Sequence, residues 1–326
     1  MKICVYGAGA VGGLIAAWLA RSGREVSVIA RGRHLEAIRR AGLRVRERSG
    51  EQLSASVKAE SDASTLGPQD YVVVAVKGHS LPEVAQGIGP LVGANTSILT
   101  AMNGVPWWFF DRLGFGDGRQ RLESLDPHGL LARAMPTERI VGCVVHLSAS
   151  TPEPGVVSHN MGKKLILGEP GGKNTQRTRG IADALASAGF DIVVSESIEK
   201  DFWVKLLGNV SFNPVSALTM STSDRLIEDR EVKVYMVHII NELLAVGRAV
   251  GVDADIDPEA RIDMARALGK FKTSMLQDLE AGKPLEIDGL LAGPLEIAAK
   301  AGVRAPYTES LYGLIRARAI ATGQYR

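Results

Sequence analysis

Three polar residues at helical spacing interrupt an otherwise apolar stretch, FWVKLLGNVSFNPVSAL at 202–218. Lys205, Asn209 and Asn213 fall at i, i+4 and i+8, so they share one helix face. One ammonium and two carboxamides on such a face need partners when taken from water. A small polar substrate can supply them, and an ammonium can polarise a carbonyl and hand it a proton. Pro214 is expected to end or kink the helix at Asn213. A second polar set lies in TSMLQDLEAGKPLEID at 273–288, with Ser274, Gln277, Asp278, Glu286 and Asp288. Taken alone, either set also fits a solvated helix face.

A third set opens the chain. Gly7, Gly9 and Gly12 form a G-x-G-x-x-G spacing after a short apolar run and before an apolar segment, and a second β-branched run follows at 26–29. This is the strand, tight turn, helix and strand that dinucleotide phosphates require. Gly7, Ala8, Gly9, Ala10, Val11 and Gly12 are therefore the candidate cofactor loop. Gly9 admits a pyrophosphate, and the following helix N-terminus faces it with its dipole and N–H groups. The carboxylate that binds a ribose 2′-hydroxyl is absent from the end of the second strand, where Arg31 stands, followed by Gly32 and Arg33. A guanidinium there suits a 2′-phosphate, so the cofactor reads as NADP(H). Lys77 follows the continuous apolar run at 71–76, and Asn103 ends the next strand-like run. Both fall at the carboxyl ends of strands, where ligands of open α/β sheets collect.

The elements behind these residues change character along the chain. Up to about residue 196, strand-like and helix-like patterns alternate, with a hairpin pattern at 43–57 and short strands expected at 140–147, 155–159 and 164–167. Beyond it, helix periods dominate, at 198–212, 215–220, 231–250, 258–269, 273–281, 287–301 and 307–321. The expected organisation is an α/β dinucleotide-binding domain at 1–196 and an all-helical domain at 197–326. With 326 residues, 45% apolar and 23% charged, the chain is long enough for two globular domains. A net charge of +2 and no basic face argue against a nucleic-acid partner. Neither the two cysteines nor the six histidines show metal-ligand spacing. No segment reads as a membrane span or signal peptide, and the cytoplasm is the expected location.

Five stretches in order give the chain a family resemblance: GAGAVG at 7–12, VAVKGH at 74–79, MNG at 102–104, KLLGNVSFNPVSAL at 205–218 and SMLQDLEAGKPLEID at 274–288. Together they resemble the ketopantoate reductase family (2-dehydropantoate 2-reductases) over nearly the whole length. The resemblance implies a Rossmann domain followed by a helical domain like that of 6-phosphogluconate dehydrogenase, with the active site in the cleft between. It implies Lys205 as catalytic lysine. Asn209, Asn213, Ser274 and Glu286 would bind substrate, Asn103 would contact cofactor and substrate, and Arg31 and Lys77 would bind the 2′-phosphate and adenine side of NADP(H). The implied reaction reduces a 2-keto acid, ketopantoate to (R)-pantoate on the way to pantothenate and coenzyme A. A reductase of another keto acid, or an idle NADP(H)-binding sensor or scaffold, are the competing readings.

The segment 105–135 is longer and more aromatic than in the simplest relatives. Trp107, Trp108, Phe109 and Phe110 must pack on the core, a partner subunit or the pocket mouth, and the polar tract 114–121 reads as a mobile loop. A helical domain with such an insert is compatible with a homodimer.

Overall fold

The computed structural model describes residues 1–116 and 120–325. The chain divides into two compact units, one of Met1–Met102 with His128–Ile198, the other of Asn103–Pro127 with Glu199–Arg326. Residues 103–127, assigned from sequence to the first domain, thus group with the helical unit.

The first unit is a ten-stranded mixed sheet with helices. Its strands are β1 (Lys2–Tyr6), β2 (Glu25–Ile29), β3 (Leu43–Arg46), β4 (Gln52–Ala55), β5 (Lys58–Glu60), β6 (Gln69–Val74), β7 (Val92–Ala101), β8 (Ile140–Glu153), β9 (Val156–Gly168) and β10 (Asp191–Val194). Its helices are α1 (Ala10–Arg21), α2 (Gly32–Ala41), α3 (Leu81–Gly87), α4 (Leu130–Ala134) and α5 (Gln176–Ser187). Strands run parallel in the order β5-β2-β1-β6-β7-β8, the dinucleotide-binding arrangement. The apolar run of β6 is buried on both faces, as a central parallel strand requires. The three short strands expected between 140 and 167 are instead two long ones, β8 and β9, paired antiparallel across a turn at Gly155, φ +75°. Their length lets β9 pair with β3 at its start and β10 at its end, which curls the sheet around α1. Gly13 permits that enclosure, since a Cβ there would stand 2.7 Å from Val157 Cγ2.

The second unit is helical: α6 (Ile198–Thr219), α7 (Ser223–Glu228), α8 (Arg230–Ala249), α9 (Pro258–Asp263), α10 (Ser274–Glu280), α11 (Gly293–Lys300) and α12 (Pro306–Ala321), with a π-turn at Asp288–Ala292. The sequence expectation for Pro214 is corrected: α6 does not end at Asn213 but runs 22 residues to Thr219, joining the two expected helices. Val210, Phe212, Val215 and Ala217 lie on both sides of the proline in one core. Their burial offsets the lost backbone bond and ring clash, about 3 kcal/mol. Trp203 anchors the helix by donating Nε1–H to the Leu243 carbonyl of α8 at 3.0 Å, with Gly247 against its indole.

The aromatic run packs inward. Trp107 is 4% exposed and Trp108, Phe109 and Phe110 are fully buried. Phe109 lies 5.6 Å from the Trp203 ring and Trp108 5.5 Å from Phe202, so the run is fastened to the first turns of α6. Of the expected polar loop, residues 117–119 lie outside the described residues. Just after it, Leu122 is buried, and the backbone N–H groups of Glu123 and Ser124 donate to Glu296 of α11 at 3.0 and 2.9 Å.

Glu169 ties β9 to α5 in the first unit. Its buried carboxylate accepts from Thr175 N–H and Oγ1–H, Thr178 Oγ1–H and Arg177 Nε–H at 2.7–2.9 Å. Burial alone would raise its pKa, but the bonds from Arg177, Thr175 and Thr178 outweigh it and hold the carboxyl below its ordinary value of 4.5. A depressed folded value means stability that is present above pH 4.5 and lost as pH falls through the folded value. Glu169→Gln should cost about 2 kcal/mol at neutral pH and flatten the acid limb of stability. Urea unfolding between pH 3 and 7 checks this, and an unchanged acid limb in the variant contradicts it.

Candidate active site

In the first unit, the loop between β1 and α1 is set by backbone. Gly7 has φ +101°, and a Cβ there would meet Val76 Cγ1 at 2.5 Å. The N–H groups of Gly7 and Ala8 donate to the Ile29 carbonyl at 3.1 and 3.3 Å, so these two residues shape the loop. A Cβ on Gly12 would stand 2.9 Å from Ala75 Cβ, which shows how closely α1 approaches the sheet. At Gly9 a Cβ would meet nothing within 4 Å. Open space thus fronts Gly9, the N-cap of α1, and the free N–H groups of Ala10 and Val11 begin the helix behind it. That cradle fits a dinucleotide pyrophosphate.

The groove continues past Tyr6, Ile29, Ala30, Arg31 and His34. Nothing in its sequence context marks His34. Gly155 N–H donates to its Nδ1 at 3.0 Å, which leaves Nε2–H to donate to the Ala8 carbonyl at 2.7 Å. It therefore braces the glycine loop from α2. Arg31 stands two residues past β2, as the N-cap of α2, and its Nη1 pairs with Glu83 of α3 at 2.5 Å, with both side chains half-exposed. Lys77 lies three residues beyond β6 and is half-buried.

In the second unit, Lys205 Nζ–H donates to Asn103 Oδ1 at 2.7 Å. The structure thus joins two residues 102 positions apart, each marked by its own local pattern. Asn103 is placed by its neighbours. Gly104, at φ +81°, packs on Gly289, where a Cβ would stand 2.5 Å from the carbonyl oxygen, and Val105 N–H donates to the same oxygen at 2.8 Å. This pins Asn103 to the turn that follows Glu286. The stretch before that turn is held by the chain's end: Gln324 Nε2–H donates to the Lys283 carbonyl at 2.7 Å, Gln324 O accepts from Leu285 N–H, and Tyr325 donates to Asp288 at 2.5 Å.

Asn209 and Asn213 follow Lys205 along α6, half-buried and 7% exposed respectively. Neither carboxamide has a hydrogen-bond partner among the described residues, and neither is sealed from solvent. Buried polar groups are normally satisfied, so both carboxamides can take a partner from outside the described residues. Ser274 opens α10, capped by Thr273, and is exposed; it makes no hydrogen bond to the other candidates among the described residues. One further residue enters unforeseen. Arg261 of α9 lays its guanidinium on Gly208, between Lys205 and Asn209 in sequence; a Cβ on Gly208 would stand 2.7 Å from Cζ. In sequence Arg261 sits among Glu259 and Asp263 and reads as one charge on a solvated helix.

A phosphate-cradling α/β unit and a helical unit with an oriented lysine beside unpartnered carboxamides define a two-domain, dinucleotide-dependent type of oxidoreductase. Comparison gives the family. Residues 3–172 match the model of ketopantoate reductase PanE/ApbA, and residues 197–319 that of its C-terminal domain. The chain belongs to the ketopantoate reductase family and is an oxidoreductase of that type. It is 41% identical, over all of both chains, to a 2-dehydropantoate 2-reductase of Mesorhizobium japonicum. Among solved structures, one from Ralstonia solanacearum MolK2 assigned as a ketopantoate reductase is similar at 46% identity and TM-score 0.95, covering 99% of each chain. A 2-dehydropantoate 2-reductase of Geobacter metallireducens is similar at 30% identity and TM-score 0.86, covering 98% of this chain and all of its own. No described helix is long and apolar enough to cross a membrane, and no group of three or more described His, Cys, Asp or Glu could hold a metal ion.

Gly104→Ala should displace Asn103, because its methyl group would collide with Gly289 at a backbone conformation L-residues rarely adopt. The expected result is a loss of about 2 kcal/mol or more in stability, read by urea unfolding. A variant as stable as the parent would show that the Asn103 turn is not held by this contact.

Proposed function

We propose that this chain reduces a 2-keto acid to a 2-hydroxy acid with NADPH, and that the acid is ketopantoate, giving (R)-pantoate for pantothenate and coenzyme A synthesis. The observation that carries this is the Lys205–Asn103 hydrogen bond on the same helix face as two unpartnered carboxamides. Family membership and the full-length likeness to 2-dehydropantoate 2-reductases support it.

When bound, NADPH supplies the hydride that the carbonyl carbon accepts. Every other step falls to the chain. The Lys205 ammonium, its direction fixed by Asn103 Oδ1, donates a hydrogen bond to the substrate carbonyl oxygen and polarises it. As negative charge develops there, the same group passes a proton to that oxygen, and the product is a neutral hydroxyl. Asn209 and Asn213 orient the substrate's oxygen atoms. Ser274 and Glu286 complete the substrate contacts, with Glu286 accepting from a substrate hydroxyl. On the cofactor side, Gly9 to Gly12 receive the pyrophosphate, Arg31 the 2′-phosphate, and Lys77 the adenosine phosphate side.

NADPH oxidation assayed with ketopantoate and a panel of 2-keto acids tests the reading directly. Lys205→Ala should leave NADPH affinity nearly unchanged and lower kcat by roughly 10²–10⁴-fold, the usual contribution of a positioned acid. Near-normal turnover in that variant would assign the proton to another donor. For cofactor choice, the Arg31–Glu83 pair is exposed and worth about 1 kcal/mol or less. A 2′-phosphate can displace it, but at a cost the carboxylate sets. Glu83→Gln should therefore tighten NADPH binding by roughly 2–5-fold and leave NADH unaffected. Equal use of both cofactors by the unmodified protein contradicts the assignment of Arg31.

A further inference from the structure

Arg261 carries a half-buried guanidinium with no carboxylate and no hydrogen-bond acceptor paired to it among the described residues. Such groups are almost always paired when buried, and burial here pulls the pKa of this arginine down. The acids nearest in sequence do not neutralise it. Glu259 and Asp263 share the opposite side of α9 and pair with Lys233 of α8 at 3.4 and 3.3 Å. Asp257 is used as the N-cap of α9, accepting from Ala260 N–H at 2.7 Å. The guanidinium is only partly buried, so an anion from outside the protein can reach it.

The guanidinium lies against the helix that carries the reacting group. The guanidinium occupies the position where a side chain at 208 would begin, and Gly208 is buried, so glycine is what admits it. Positions 205 and 208 are helix neighbours at i and i+3, with Cβ positions roughly 5–6 Å apart. In a 2-keto acid the carboxylate carbon is bonded directly to the carbonyl carbon. One ligand can therefore place its carbonyl at Lys205 and its carboxylate at Arg261, with Asn209 beside both.

We propose that Arg261 is the carboxylate receptor of the substrate site, gripping the C1 carboxylate of a 2-keto acid in bidentate fashion while Lys205 polarises the adjacent carbonyl. The proposal rests on the reading of the chain as a 2-keto acid reductase, and it names the feature of the substrate that the site requires. A planar guanidinium matches two carboxylate oxygens in a way an ammonium does not. The site consequently selects free acids over neutral carbonyl compounds of the same shape, because an ester or amide leaves the buried charge unpaired.

The test compares ketopantoate with its methyl ester in the full-length protein and in Arg261→Met and Arg261→Lys. The unmodified protein should favour the acid by at least roughly 100-fold in kcat/KM. Arg261→Met should lose roughly 100- to 1,000-fold on the acid, chiefly through KM, and change little on the ester; Arg261→Lys should recover part of the loss. Thermal stability of Arg261→Met should be equal or higher, since an unpaired buried charge is removed. An unchanged acid-to-ester ratio, or equal losses on both substrates with a lowered Tm, overturns the proposal. Titration of intrinsic tryptophan fluorescence with the two compounds separates this from the parent reading. Arg261-dependent binding of the acid without turnover refutes the reductase reading and keeps the receptor; acid binding that ignores Arg261 refutes the receptor.

Discussion

A lysine ammonium that is half out of water can act on a substrate only if something fixes its direction. In this protein the hydrogen bond that Lys205 donates to Asn103 at 2.7 Å sets that direction. Each partner is held by a different part of the helical unit. Lys205 rides on α6, whose other face is locked into the core by Trp203, Leu206, Leu207 and Val210. Asn103 is held by the Gly104–Gly289 contact, which places backbone against backbone. The buried aromatic run that follows Asn103 packs back on Phe202 and Trp203, one turn before Lys205. Two fully buried aromatic rings of this kind contribute about 2–3 kcal/mol each, so both ends of the hydrogen bond are stiffened by the same cluster.

The unusual economy of α6 follows from this. A helix buried on nearly all sides has no place for polar side chains unless they are satisfied. Lys205 meets that demand within the protein, whereas Asn209 and Asn213 do not among the described residues. The helix crosses Pro214 without ending because the same core surrounds both of its halves. Stability and function are thus in tension on one element: its apolar face holds the fold, and its polar stripe is left incomplete.

How much of this could be read from the chain depends on whether the signal is local. The glycine loop, the strand-helix-strand opening and the polar stripe on α6 are set by spacing, and they are visible in sequence as they stand in the structure. Asn103 was visible through its place at a strand end, but its tie to Lys205 spans 102 residues and leaves no local mark. Pro214 misled, because propensity speaks for a helix end and only tertiary packing overrides it. The segment 103–127 was placed with the wrong neighbours for a related reason: adjacency in sequence to β7 says nothing of which core its aromatics enter. His34, Glu83 and Arg261 carried no signal at all. Each acts through a contact with a distant residue, and Arg261 matters only because position 208 happens to lack a side chain.

The central claim is that the Lys205 ammonium is the proton donor to a 2-keto acid carbonyl. Chemical rescue of Lys205→Ala by added primary amines of graded pKa tests it most directly. The account predicts that small amines restore NADPH-dependent reduction of ketopantoate in proportion to their protonated concentration, with a rate that depends on amine pKa in Brønsted fashion. A variant that turns over at the parent's rate without added amine, or one that binds cofactor and keto acid as the parent does but that amines do not rescue, would contradict it.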